Sequence, residues 1–143
     1  MTMRVRIHVV ALISILFVPT LAAMAEDKHG AELYVKYCRS CHQIADGDRV
    51  IQIGGRHGPN LFGFFGRPAA GVDGFVYSDS MRAASAAGLV WDATQTIEFV
   101  LGPWQYLRDY LNDENARSNM PNRIKDRKVI EEIIAYLRSV QTE

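Results

Sequence analysis

Apolar positions recur along this chain at three- and four-residue spacing, and no segment alternates convincingly with period two. That pattern predicts helices and no sheet. Beyond the N-terminal segment, the first predicted helix covers about 29–37, with Leu33, Tyr34, Tyr37, Cys38 and Cys41 at helical spacing. From Gly47 to Gly74, the clusters Gly54-Gly55, Gly58-Pro59-Asn60 and Gly63 to Pro68 predict loops and turns. A short helix is predicted near 78–87, stopped by Gly88. The next begins at Asp92, whose carboxylate can cap free amides while Gln95 answers it as a capping box. Ile97, Val100 and Leu101 line that helix, and Gly102-Pro103 ends it. A further short helix is predicted over about 104–111. The last, over about 126–140, carries Ile130, Ile133, Ile134, Leu137 and Val140 on one stripe, with Glu131, Glu132 and Arg138 facing outward. The predicted fold class is all-α, with short helices joined by long irregular segments around one core.

Residues 1–25 have a different character. Arg4 and Arg6 precede the apolar run from Val9 to Val18, and Ala23-Met24-Ala25 supplies a small-x-small site before Glu26-Asp27-Lys28. This is the layout of a secretory signal peptide, predicted to be cleaved after Ala25 and to leave a mature domain of 26–143. The apolar run falls short of the roughly 18–20 residues that span a bilayer, so no stable membrane insertion is expected after cleavage; a retained anchor is the other reading. The mature body is expected to be soluble and exported, which in a bacterium means the periplasm. Lys+Arg and Asp+Glu number 16 each, and removing Arg4 and Arg6 leaves 14 − 16 = −2. A chain without basic excess is not a general nucleic-acid binder.

Long glycine-rich loops bury little apolar surface against their ordering entropy, so something large and apolar is expected inside them. Both cysteines of the chain lie in Cys38-Arg39-Ser40-Cys41-His42. Two cysteines three apart on one helical turn can reach the two vinyl groups of a haem and form thioethers, and the next residue then offers an imidazole to the iron. A thioredoxin-like disulfide needs a βαβ frame that this pattern lacks. A structural zinc needs a fourth ligand, and a plain disulfide with a bystander histidine leaves the motif unexplained. Covalent c-type haem attachment is the reading that uses all three residues.

Iron bound by His42 has one axial position left. Beyond residue 25 the methionines are Met81 and Met120. Met81 lies in a helical pattern, where methionine commonly fills core space. Met120 lies in the polar segment Arg117-Ser118-Asn119-Met120-Pro121, and Pro121 pushes it toward extended backbone, suited to presenting a side chain sideways. Met120 is the predicted ligand; His57, His29 or an open site are the other possibilities.

With these residues in view, the chain resembles a class I cytochrome c of the mitochondrial and bacterial cytochrome c2 type over essentially all of 29–140. The resemblance rests on Gly30 to Tyr37, on Gly58-Pro59-Asn60-Leu61 followed by Phe65-Gly66-Arg67, on Gly74-Phe75-Val76-Tyr77-Ser78 and Trp91, and on Ile133-Ile134-Ala135-Tyr136-Leu137. It implies a single-haem class I cytochrome c fold in which the first and last helices cross. It implies that the Pro59 carbonyl accepts a hydrogen bond from His42, and that Arg67, Tyr77 and Trp91 hold a haem propionate; composition alone would place Tyr77 and Trp91 in the core and Arg67 at the surface. It further implies a one-electron carrier with one haem c on Cys38 and Cys41 and His42/Met120 axial ligation, passing electrons between redox proteins of the respiratory or dehydrogenase kind. The chain departs from the family's usual Gly-Thr-Lys before the methionine, where it has Arg117-Ser118-Asn119, and from its usual length between Pro103 and Met120. Phe99 stands where the family often has a tyrosine.

Lys36 and Arg39 flank the motif, and Arg123, Lys125, Arg127 and Lys128 follow Met120. Such a basic rim suits electron donors and acceptors with acidic docking patches; the plainer reading of Arg127 and Lys128 is solvation of a helix start. Two other functions fit the same residues: the haem subunit of a periplasmic dehydrogenase complex, or a haem protein whose displaceable sixth ligand lets it bind or turn over a small molecule.

Overall fold

The computed structural model describes residues 21–141. Five helices follow one another: α1 (Leu21–Tyr37), α2 (Asp79–Ala86), α3 (Ala93–Leu101), α4 (Pro103–Leu111) and α5 (Arg127–Ser139). The predicted signal segment lies outside the described residues except for 21–25, which form the start of α1. This helix therefore begins well before residue 29: from Leu21 to His29 the sequence contains neither proline nor glycine to stop it.

The other helices begin and end where side chains can satisfy free backbone groups. The Ser78 hydroxyl accepts from the Met81 amide at 3.1 Å, and Gly88 takes φ 92° just beyond α2. The Asp92 carboxylate accepts from the Gln95 amide at 2.7 Å, but the reciprocal half of the expected capping box does not form. The Gln95 side chain instead accepts from the Tyr106 hydroxyl, tying α3 to α4. Pro103 is the first residue of α4, where its missing N–H costs nothing, so that helix starts one residue earlier than predicted. Asp126 caps α5. Along α5 the whole predicted stripe is buried, while Glu132, expected to face water, is half-buried and pairs with His29 at 3.1 Å.

A second departure from the prediction is a hairpin: β1 (Ile44–Asp46) pairs antiparallel with β2 (Arg49–Gln52), within a stretch read in part as loop. Its two-residue turn has Gly47 at φ 57°, a conformation that favours glycine at the first loop position. Strands of three and four residues are too short to reveal alternation. The fold is otherwise helical, as predicted.

Two clusters form the walls around the site. Tyr34 of α1, Ile44, Phe64 and the α5 residues Ile133, Tyr136 and Leu137 make one. Met81, Ala84, Leu89, Phe99 and Leu107 make the other, from α2, the connection after it, α3 and α4. At the crossing of α1 and α5, Gly30 is buried against the Glu132 carbonyl and Tyr136. Tyr37, by contrast, is exposed, under the Lys36 ammonium 4.9 Å from its ring.

Candidate functional site

Immediately after α1 the backbone makes one more helix-like turn. The amides of Cys38, Cys41 and His42 donate to the carbonyls of Tyr34, Cys38 and Cys38 at 2.8, 3.1 and 2.9 Å. This brings Cys38, Cys41 and His42 to one side, both cysteines free of any disulfide. Tyr34, fully buried, donates its hydroxyl to the His42 carbonyl at 2.9 Å.

The chain then returns flush against this turn. The amides of Gly55 and Gly58 donate to the carbonyls of Arg39 and Cys41 at 2.9 and 2.8 Å. A Cβ at Gly54 would sit 2.6 Å from the His42 carbonyl carbon, and one at Gly55 2.9 Å from that of Ser40. At Gly58 it would fall 2.5 Å from His42 Nδ1 and 2.6 Å from Nε2, in the space the ring occupies. These glycines, predicted as loop formers, are required for close approach. Asn60 fixes the next step by clamping Ala45: its side chain accepts from the Ala45 amide at 3.1 Å and donates to the Ala45 carbonyl at 2.7 Å.

His42 Nδ1 lies 2.8 Å from the Pro59 carbonyl, the contact predicted. A carbonyl can only accept, so the proton sits on Nδ1 and the Nε2 lone pair is left to bind a metal. Burial lowers the affinity of this ring for a second proton, keeping it neutral. Burial also pushes the Cys38 thiol up to about 12, with Cys41 contributing in the same direction.

All eight predicted site residues, Cys38, Cys41, His42, Pro59, Arg67, Tyr77, Trp91 and Met120, line one cavity of about 460 Å³. Much of the remaining wall is apolar, from Leu61, Phe64, Phe99, Ile130, Ile134 and Leu137. Such a volume and lining suit a cofactor-sized apolar group. Met81 also borders it and is buried in the cluster around α2, against which the half-buried Met120 packs from the irregular segment between α4 and α5. His57 is exposed at the border, and His29 is engaged with Glu132 on α1 and α5.

Arg67 and Trp91, far apart in sequence, are joined by backbone hydrogen bonds: Trp91 N–H to the Arg67 carbonyl at 3.0 Å and Gly66 N–H to the Trp91 carbonyl at 2.8 Å. The half-buried Arg67 guanidinium donates to the carbonyls of Asn60, at 3.1 Å, and Phe62, with further N–H groups left over. Burial disfavours its charge and Tyr77 nearby acts the other way, the setting in which an acidic group would be welcome. The Tyr77 hydroxyl accepts from the Val72 amide at 3.3 Å, and Trp91 meets Phe99 edge-on at 5.1 Å. The residues present thus fit a haem: two free thiols beside a neutral imidazole, an apolar cavity, and a cation at its margin.

No family model matches the chain. It is 45% identical over 115 residues to cytochrome c-551 of Roseobacter denitrificans, covering 80% of this chain and 81% of that one. To cytochrome c2 of Rhodovulum adriaticum it is 36% identical over 116 residues, covering 80% and 92%. Among solved structures, cytochrome c2 from Rhodobacter capsulatus superposes with a TM-score of 0.74 at 33% identity, covering 80% of this chain and 97% of that one. Agreement of this extent makes the protein a member of the cytochrome c2 family, a class I c-type cytochrome that carries electrons on one covalently attached haem c.

Proposed function

We propose that the protein is a soluble periplasmic one-electron carrier, not an enzyme, with Cys38 and Cys41 as thioether sites and His42 and Met120 as axial ligands. The observation that carries this reading is the His42–Pro59 contact at 2.8 Å in a cavity that Met120 also lines. When bound, the haem supplies a ferric/ferrous couple. The chain's own part is to hold the imidazole neutral and oriented, to offer a thioether from the irregular segment before α5, and to keep water from the apolar wall. Arg67, Tyr77 and Trp91 are proposed to hold a propionate, because the guanidinium keeps unused donors at the cavity margin.

Export by a signal peptide cleaved after Ala25 agrees with thioether chemistry outside the cytoplasm, and among the described residues no helix is long and apolar enough to cross a membrane. The partners are proposed to be redox proteins with acidic docking patches, met by exposed Lys36, Arg39, Arg123 and Lys125. Arg127 contributes less, because Glu98 pairs with it at 2.6 Å. The test is the ferric absorption spectrum of protein matured in a haem-attaching host. A low-spin spectrum with the weak red band of an iron–thioether bond, lost in Met120→Ala, is the expected result. A high-spin ferric spectrum shifted by cyanide, or a ferrous spectrum shifted by carbon monoxide, would overturn the ligand assignment and favour a displaceable sixth site.

A further inference from the structure

Met120 sits in a segment without regular structure between α4 and α5, its side chain packed against the cluster around α2. Downstream, the Ile124 amide donates to the Val100 carbonyl at 3.1 Å. Upstream, two side chains from other helices reach in. The Ser80 hydroxyl of α2 accepts from the Arg117 amide at 2.9 Å, and the Trp104 indole of α4 donates Nε1–H to the Ser118 carbonyl at 3.0 Å. Ser118 is itself buried, and its hydroxyl accepts from the Met120 amide at 3.0 Å. The indole thus holds the residue that in turn holds the Met120 backbone. Trp104 is 48% exposed, so little of its value comes from burial. Its base is nevertheless rigid: neighbouring Pro103 and Leu107 of α4 are buried, and the Arg117 guanidinium lies 5.7 Å over its ring.

We propose that Trp104 is a positioning residue for Met120: its indole N–H pins the Ser118 carbonyl and so holds the thioether toward the haem iron against displacement. The proposal rests on the assignment of Met120 as axial ligand. Opening the Met120 segment would break the indole bond, so deleting the donor favours the opened state. The loss of one ordinary hydrogen bond predicts a roughly five- to tenfold change in that equilibrium.

The experiment titrates ferric holoprotein with imidazole, which binds iron only when the methionine has left, and follows the Soret band. Trp104→Phe keeps a ring beneath Arg117 and removes the N–H. Its imidazole affinity is expected to rise roughly five- to tenfold, with the red thioether band retained. Ser80→Ala, which removes the other upstream pin, is expected to shift affinity in the same sense and serves if Trp104→Phe does not mature. Affinity unchanged from wild type in Trp104→Phe overturns the role of Trp104, and affinity unchanged in Ser80→Ala overturns the hold of the upstream pins on the Met120 segment, while the thioether band in wild type and its loss in Met120→Ala leave the ligand assignment intact. A wild type without that band overturns both.

Discussion

Replacing Gly30 by alanine sets two effects of known sign against each other. Alanine in a helix interior is favoured over glycine by about 1 kcal/mol, so propensity alone predicts stabilisation. The new Cβ, however, would lie 2.6 Å from the Glu132 carbonyl oxygen and 2.8 Å from Tyr136 Cβ. Ordinary contact begins near 3.4 Å, so α1 and α5 must move apart by about 3.4 − 2.6 = 0.8 Å. A gap of that size forfeits roughly a quarter to a half of each van der Waals well across the crossing, where Tyr34, Ile133 and Leu137 meet. Overpacking of this kind costs about 2–3 kcal/mol. The net is a loss of about 1–2 kcal/mol, which at a urea slope of about 2 kcal/mol/M lowers the midpoint by roughly 0.5–1 M. Urea unfolding of the haem-loaded protein by circular dichroism measures it, with Ala135→Gly on the exposed face of α5 calibrating propensity alone. A midpoint equal to or above wild type would refute the tight crossing.

Three further outcomes follow from the same geometry. Tyr34→Phe leaves the His42 carbonyl without its 2.9 Å donor and is expected to cost about 1–2 kcal/mol, read as a fall of several degrees in thermal midpoint; an unchanged midpoint would remove Tyr34 from the support of the site. Burial raises Tyr106 from its ordinary value of 10.0 to about 12, helped by Tyr110, Asp92 and Glu98. A folded value above the unfolded one means that this contribution is fully present below pH 10, declines as pH rises toward 12, and is lost above it. Stability measured across that window should fall less steeply in Tyr106→Phe, and an identical slope would contradict the assignment. Reversing charge at Arg123 and Lys125 should slow reduction by an acidic redox partner at low salt and have little effect at high salt; rates that stay equal at low salt would exclude this face from docking.

Cys38-Arg39-Ser40-Cys41-His42 was legible because its chemistry is local: five consecutive residues carry attachment and ligation, and one turn beyond α1 displays them. Helices α2 to α5 were legible because Ser78, Asp92, Gly102-Pro103 and Asp126 mark their ends through side-chain or ring chemistry that acts over three or four residues. The hairpin was missed because seven strand residues alternate too briefly, although Asp46-Gly47 between Ile44-Ala45 and Val50-Ile51 was an available signal. Gly54 and Gly55 read as flexible loop because sequence shows freedom and not proximity; only the fold brings the Cys38–His42 turn against them. The Glu132–His29 pair and the Trp104–Ser118 hydrogen bond join segments whose meeting depends on how helices cross, and no spacing within either segment encodes it.

As a carrier, this protein is proposed to exchange one electron with both axial ligands held. Voltammetry of the haem-loaded protein on an electrode tests it most directly. One reversible one-electron wave is predicted, with a midpoint independent of scan rate and unchanged by carbon monoxide. A wave that splits with scan rate, or moves when carbon monoxide is added, would show a ligand leaving on reduction and contradict the carrier mechanism.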